Sequence, residues 1–430
     1  MTEKGKPPSR APLRAPRGTA DVLPAEQPYW RLLRETAERV CRAFGYRRID
    51  TPTFEDARVF QRTAGPGSDI VQKEMYVFED RGGDRFTLRP DGTANTCRAY
   101  LQHGMQVLPQ PVRLYYISSI FRYDRPQAGR YREHTQMGAE AIGDGDPLVD
   151  AEVIDLLRSF YEAVGLRGLT LYLNSIGDSR CRPPYLEALK RYYADKLDRV
   201  CPDCRIRYQK NPLRLLDCKE KGCQPVIASA PTLTDSLCRE CAEHFSALQG
   251  YLKALGIAYR HNPRLVRGLD YYTRTVFEFV PAHGGAQSTV GGGGRYDGLM
   301  ELLGGLPTPG TGFGTGFERI ILNLKRQGIP APAEPPPAVY VAYQAAAARP
   351  EALRLASRLR RQGVAALVAV GRRSLKSQMR QADGVGAAYV LILGQRELAA
   401  GTVLLKDLRD GSQEEMAPEA ALARLAGAGK

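Results

Sequence analysis

The sequence has no apolar run approaching the roughly 20 residues that cross a bilayer as a helix, so a helical membrane protein is excluded. Its opening stretch, MTEKGKPPSRAPLRAPRG, lacks an apolar core and reads neither as a signal peptide nor as an anchor. Four prolines between Pro7 and Pro16 argue against the amphipathic pattern of a mitochondrial presequence. Residues 1–16 are therefore expected to be a disordered basic arm, and the cytoplasm is the expected compartment. No internal repeat is apparent. Negative charge is in short supply: 47 Asp and Glu stand against 61 Lys and Arg, for a net charge of +14. A chain this basic usually meets a polyanion, because neutralising phosphates releases counterions. A generic solubility charge is the plainer alternative.

With 430 residues, 43% of them hydrophobic, the chain can bury a large core and should divide into two or three domains. Residues 17–329 mix helix and strand signals. Apolar residues at Leu32, Leu33, Ala37, Val40 and Phe44 have helical spacing, and Gly45 ends the run. RLYYISSIFRYD (113–124) is β-branched and aromatic, as a central strand requires. A loop rich in Arg, Gly and Pro follows, and His134 to Ile142 returns as the second arm of a long hairpin. Residues from about 168 to 262 read as an insertion that holds most of the cysteines. Five prolines between Pro330 and Pro337 make 330–338 a stiff extended linker. Beyond it, strands and helices alternate through 339–430, which predicts a small α/β domain with parallel strands.

Three segments of the first region point to chemistry in combination. FGYRRIDTPTFED (44–56) joins a helix end to a short strand. FRYDRPQAGRYREHTQMGAE (121–140) carries four arginines on the hairpin; by itself it could be a solvated charged loop. GTGFGTGFER (310–319) alternates Gly312, Gly314 and Gly316, so one strand face has no side chains and a planar base could lie on the backbone. Glu318 and Arg319 then open a helix whose N-terminal end favours anions. The alternative is a glycine strand that lets a neighbour approach closely.

In this order the three segments resemble the signature motifs of class II aminoacyl-tRNA synthetases. RGLDYYTRTVFEF (267–279) and GGGGRYDGL (291–299) resemble the histidine-specific motifs of the histidyl-tRNA synthetase family. The similarity runs from RGTADVLP (17–24) through TLRPDGT (87–93) to SLKSQMRQADGVGAAYVLILG (374–394), which looks like the family's anticodon-binding domain. The resemblance implies an α+β class II catalytic core, an antiparallel sheet flanked by helices with an inserted subdomain, followed by a C-terminal α/β domain. It implies ATP, L-histidine and tRNA(His) as substrates, Mg²⁺ with the ATP, and a homodimer with Pro52 near the interface.

Residue by residue, the resemblance implies that Arg122, Arg267 and Arg319 face the triphosphate and form the catalytic set. Asp124, Arg130, His134 and Glu318 would complete the ATP site. Glu140 and Tyr272 would grip the imidazole with Tyr296 beside them, and Asp91, Thr93 and Gln136 would hold the α-amino group. Glu140 could instead be a salt-bridged surface carboxylate, and Tyr271 reads as an ordinary β-sheet aromatic. Two positions depart from the family pattern: Asp91 stands where most relatives carry Glu, and His134 stands where many carry a Phe that stacks on adenine. A regulatory subunit of ATP phosphoribosyltransferase shares the core but lacks the C-terminal domain, which is present here. A binding-only relative that senses uncharged tRNA would not need Glu140, Tyr272 and three arginines together.

Six of nine cysteines fall between Cys201 and Cys241. In a reducing cytosol, clustered CxxC pairs suggest metal rather than disulfides. Which four of the six bind is open; the two CxxC pairs, Cys201, Cys204, Cys238 and Cys241, are the expected Zn²⁺ ligands because each presents two sulfurs from one turn, in a site that stabilises the insertion remote from catalysis. Buried reduced thiols are the alternative.

Overall fold

The computed structural model describes residues 12–65, 68, 70–127, 129–282 and 289–428. Most of the expected N-terminal arm, residues 1–11, lies outside them. The chain forms two compact units, Met1–Pro332 and Ala333–Lys430.

The strands of the first unit are β1 (Arg47–Arg48), β2 (Phe54–Asp56), β3 (Tyr76–Glu79), β4 (Arg85–Leu88), β5 (Val112–Phe121), β6 (Glu133–Ile142), β7 (Leu169–Ser175), β8 (Tyr259–His261), β9 (Thr273–Pro281), β10 (Gly291–Arg295) and β11 (Gly310–Gly316). Eight of them form one sheet in the order β1-β5-β6-β11-β10-β9-β7-β8. The strands from β5 to β7 in that order pair antiparallel, and β1 and β8 join the two edges in parallel. The segment expected as an insertion thus begins and ends on strands of the main sheet. Its helix Arg239–Ala254 also buries Phe245, Leu248 and Leu252 in the main core. Only the stretch between β7 and that helix departs from the core.

Side chains alternate across a pleated strand, and the sheet uses its two faces differently. Met137, Ala139 and Ala141 of β6, Phe313 of β11 and Phe277 of β9 share one hydrophobic cluster with Leu33 and Ala37 of helix Gln27–Ala43 and Leu157 and Phe160 of helix Pro147–Ala163. That face is the core. The other face carries His134, Gln136, Glu140 and the alternating glycines of β11.

One charge is buried under this architecture. Arg295 at the end of β10 is 0% exposed. Its guanidinium donates to Asp150 Oδ1 at 2.8 Å, to Asp297 Oδ1 at 3.1 Å and to the carbonyls of Asp144 and Asp146. Asp150 also accepts from Thr275 Oγ1 at 2.6 Å. Every ion here is paired, which is the condition for burying it.

The second unit has its own core. Its strands are β12 (Val339–Tyr343), β13 (Ala366–Val368), β14 (Tyr389–Leu393), β15 (Val403–Asp407) and β16 (Gln413–Met416), in the order β13-β12-β14-β15-β16. The first three are parallel, as alternating strands and helices require. β15 and β16 add an antiparallel edge that the sequence pattern did not predict: the helix Gln395–Ala400 before β15 is too short for a parallel crossover, and no helix separates β15 from β16.

Removing one partner of a fully buried ion pair leaves an uncompensated charge that costs roughly 3–5 kcal/mol. Arg295→Met should lower stability by about that amount in denaturant unfolding. Adding Asp150→Asn to it should recover part of the loss; equal losses in the single and double variants would contradict the pairing.

Candidate active site

The open face of the sheet is a trough two strands wide. Opposed residues of antiparallel strands share a face. The register therefore aligns Glu140 with Gly312 and Gln136 with Gly316 across β6 and β11, and Gly314 with Gly292 and Gly292 with Glu278 across β10 and β9. Glycines make the floor, β6 makes one wall and β9 the other. The floor is partly claimed. A Cβ on Gly312 would collide with the Glu140 carboxylate, one on Gly314 would lie 2.6 Å from Gln136 Nε2, and one on Gly292 would lie 3.0 Å from Arg267 Nη1. Only Gly316 of the alternating set has open space above it. The expected bare face is thus partly filled in this structure: Gly312 and Gly314 admit neighbouring side chains, whereas no described residue lies over Gly316.

At one end of the trough lies a closed polar cluster. Glu140 is 0% exposed, which removes the reading of a surface carboxylate. It accepts from Thr93 Oγ1 at 2.7 Å and from the Tyr296 hydroxyl at 2.6 Å. Burial pushes its pKa up to about 8, against the lowering effect of those two hydroxyls. Asp91 and Thr93 arrive together because the RPDGT turn opens helix Thr93–Gln102. Arg89 pins that turn by donating to the carbonyls of Ser119 at 2.7 Å and Thr51 at 2.8 Å. Burial raises the Asp91 pKa, and Arg122 opposes it. Gln136 donates to the Tyr116 hydroxyl at 3.0 Å.

Tyr271 corrects a second expectation. It is not a sheet aromatic: β9 begins at Thr273. Its ring lies against Tyr272 and Tyr296, with centroids 4.7 and 5.9 Å away, and its hydroxyl donates to Asp91 Oδ2 at 3.3 Å. All three tyrosines are buried.

The cations gather toward the other end. Arg122 follows β5 and donates through Nε to the Pro90 carbonyl at 2.8 Å. Arg319 donates to the carbonyls of Gly129 at 2.9 Å and Thr289 at 2.7 Å. Burial lowers its pKa, and so does the field of Arg130 and Arg122. Arg130 is ion-paired to Asp124. His134 is held neutral, its pKa pushed down to about 3 by burial and by Arg122 and Arg319. Arg267 lies between the ends, 5.7 Å from the Tyr272 ring centroid and 2.5 Å from Glu278 Oε1. Burial opposes its charge, but Tyr272 and Glu278 hold it charged. Four arginines gathered here, of which Arg130 and Arg267 are paired with Asp124 and Glu278, leave a cationic excess that suits a polyanion.

The expected zinc set is not brought together. Cys201 and Cys204 sit with Cys218 and Cys223, whereas Cys238 and Cys241 sit with Asp178 and Cys181. Each CxxC turn meets a different completing pair, so the two turns do not converge. Nor is the segment remote from the trough. Arg182 donates to the Tyr272 carbonyl at 2.6 Å, Arg214 to the Gly268 carbonyl at 3.1 Å, and Asn211 to Asp270 Oδ1 at 2.6 Å.

Residues 18–320 match the family described as histidyl-tRNA synthetase, and residues 338–427 match the anticodon binding domain. The histidine–tRNA ligase of Dehalococcoides mccartyi is 55% identical over 93% of this chain and 96% of that protein. That of Pelotomaculum thermopropionicum is 50% identical over 93% and 94%. The chain belongs to the histidyl-tRNA synthetase family. The crystal structure of apo S. aureus histidyl-tRNA synthetase superposes with a TM-score of 0.81 at 36% identity, covering 96% of this chain and all of that one.

Within this synthetase fold, sequence reasoning missed Glu278 and Tyr116 as neighbours of the trough. The signal for Glu278 was present: it is the lone acid in the alternating strand VFEFV, opposite Gly292. Tyr116 carries no such signal, since it is one of several aromatics in an apolar strand.

Glu140 makes the empty synthetase pH-sensitive. Its folded pKa is raised from 4.5 to about 8, so the folded state keeps a proton that the unfolded chain releases. That stabilisation is complete below about pH 4.5 and is lost as pH rises through about 8, with a slope of at most about 1.4 kcal/mol per pH unit. Glu140→Gln should be less pH-dependent in its thermal midpoint over this window. Parallel curves for the two proteins would refute the buried acid.

Proposed function

We propose that the trough joins L-histidine to ATP at its polar end and passes the product to tRNA(His). The chain is a histidine–tRNA ligase, an aminoacyl-tRNA synthetase. The observation that carries the reading is Glu140, an enclosed carboxyl fixed by Thr93 and Tyr296 a short way from massed arginines. Each oxygen of this carboxyl keeps hydrogen-bonding capacity beyond its bond to Thr93 or Tyr296, and an imidazole ring nitrogen can meet it in this enclosed setting.

In the first step the histidine carboxylate attacks the α-phosphate, the bond to the bridging oxygen breaks, and pyrophosphate leaves. Charge builds on the non-bridging oxygens, so fixed cations matter more than a base. Arg122 and Arg267 fit the α-phosphate, and Arg319 fits the distal phosphates, with Asp124 orienting Arg130 beside it. His134, neutral and opposite Ile120 on the hairpin, fits a stack on adenine. Tyr272 and Tyr296 flank the imidazole, and Asp91, Thr93 and Gln136 are placed for the α-amino group. Asp91 has Tyr271 as its own partner, which fixes the shorter carboxylate. Mg²⁺ on the β- and γ-phosphates would supply a divalent counter-charge. Glu318 suits it, since its Oε2 is buried without a hydrogen-bond partner and hard oxygen donors are what Mg²⁺ takes.

In the second step the 3′-terminal hydroxyl of the tRNA attacks the histidyl carbonyl and AMP leaves. Exposed Arg372, Arg373, Lys376 and Arg380, around helix Leu375–Gly384, offer the second unit a basic surface for tRNA phosphates. We infer a cytoplasmic homodimer. No helix among the described residues is long and apolar enough to cross a membrane. The three-stranded sheet β2-β4-β3 leaves Phe54, Val77 and Phe78 exposed near Pro52, an apolar surface that a second copy would cover.

Histidine-dependent ATP–pyrophosphate exchange tests the activity directly, and a protein without it is not a synthetase. Arg267→Ala should lower kcat of exchange by roughly 10²–10³ with a smaller change in KM for histidine; near-normal exchange would remove Arg267 from the catalytic set. A chain ending at Pro332 should keep exchange and lose most tRNA charging. If it charges tRNA as well as the full chain does, the role given to the second unit is wrong.

A further inference from the structure

The segment between β7 and β8 holds two clusters of metal-binding side chains. The sulfurs of Cys201, Cys204, Cys218 and Cys223 all lie within 4.8 Å of one another, and so do the ligand atoms of Asp178, Cys181, Cys238 and Cys241. None of these cysteines is in a disulfide.

The two clusters share one building block. Cys201 is the N-cap of helix Pro202–Lys210 with φ −65° and ψ 161°, and Cys238 is the N-cap of helix Arg239–Ala254 with φ −66° and ψ 162°. Each CxxC therefore places its second sulfur on the first turn of a helix, at the positive end that favours a thiolate. Each turn is half of a tetrahedral site. Cys218 and Cys223 complete one, Asp178 and Cys181 the other.

Distances and donors fit ligation. A Zn–S bond of about 2.3 Å sets the edge of a sulfur tetrahedron at about 3.8 Å. Cys201 Sγ and Cys218 Sγ are 3.8 Å apart. Backbone amides already aim at the sulfurs: Cys201 N donates to Cys223 Sγ at 3.2 Å, Glu220 N to Cys218 Sγ at 3.4 Å, and Asp178 N to Cys181 Sγ at 3.3 Å. In the second cluster Asp178 divides its oxygens. Oδ1 lies 3.6 Å from Cys181 Sγ and 4.0 Å from Cys238 Sγ, while Oδ2 faces Arg180 and Arg274 at 3.4 Å each. Those guanidiniums offset the surplus negative charge that three thiolates and a carboxylate would carry around a divalent ion.

We propose that this segment is built around two separate structural Zn²⁺ sites, one of Cys201, Cys204, Cys218 and Cys223, the other of Asp178, Cys181, Cys238 and Cys241. Both sets are closed with four protein ligands, which marks a structural site rather than one that activates water. Their thiolates select zinc over the Mg²⁺ that accompanies ATP. The second site also touches the histidine pocket, since Arg274 follows Tyr272 and Thr273 directly.

The test is metal analysis of the full-length chain purified without chelator. About two zinc ions per chain are expected. Cys218→Ser with Cys223→Ser should leave about one, and Cys181→Ser with Cys238→Ser should also leave about one. Exchange of Co²⁺ for zinc in the unaltered chain gives a readout that does not depend on the variants folding. Its thiolate-to-metal absorption should correspond to about seven sulfur ligands over two ions. One zinc per chain, none, or two that are not lost with their own cysteine pairs would each overturn the proposal.

Discussion

A sheet that holds a ligand against one face has to clear that face of its own side chains while keeping the opposite face packed. β11 meets this constraint with glycine at alternating positions and β10 with four glycines in a row, and the rest of the site follows from it. Phe313 still reaches the core from β11, so the strand keeps its anchor. The glycines give up side-chain burial and lose more freedom on folding than any other residue. Neighbouring strands make up the difference. β10 is paired on both sides along its whole length, and Arg295 ends it in the buried ion network with Asp150 and Asp297. A strand with almost no side chains is thus held by its ladder and by one enclosed charge.

The clearing also sets the electrostatics. Chains that could not lie over ordinary residues lie over glycine: Glu140 over Gly312, Gln136 over Gly314, Arg267 over Gly292. The two ends of the trough then differ in kind. Around Glu140 the groups are acidic and desolvated, so the carboxyl holds a proton near neutrality. Around Arg319 they are cationic, and His134 is kept neutral.

Much of this was legible in the sequence where a pattern repeats. The hairpin β5–β6, the long first helix and the three parallel strands of the second unit follow from periodicity, and the motif segments marked the trough. Where the reading failed, the cause was partner choice across long sequence separations. A CxxC turn announces two sulfurs but not the segment that completes them, so Cys218 and Cys223 could not be matched to Cys201 by spacing. Alternating glycines announce a bare face but not which side chains will occupy it. Tyr271 sits in an aromatic run that continues into a strand, and only the start of the ladder at Thr273 separates it from the sheet. Asp150 lies on a helix, Arg295 at a strand end and Thr275 on a third element, so nothing local announces their network.

The same long-range logic ties the cysteine-rich segment to the pocket. Arg274 is the one described non-glycine residue with positive φ, at 48°. Such a conformation is strained for a side-chain-bearing residue and persists where its surroundings over-determine it. Here Arg274 N donates to the Gly177 carbonyl and Ile176 N to the Arg274 carbonyl, each at 2.7 Å, while the guanidinium reaches Asp178. Arg182 adds a bond to the Tyr272 carbonyl. The turn that begins the excursion therefore fixes the backbone on which Tyr271 and Tyr272 stand. The pairing of β9 with β10 shifts register at this same point, between Gly294 and Arg295. The excursion thus braces the backbone that carries Tyr271 and Tyr272, which gives a physical reason for such a segment to be packed against the sheet.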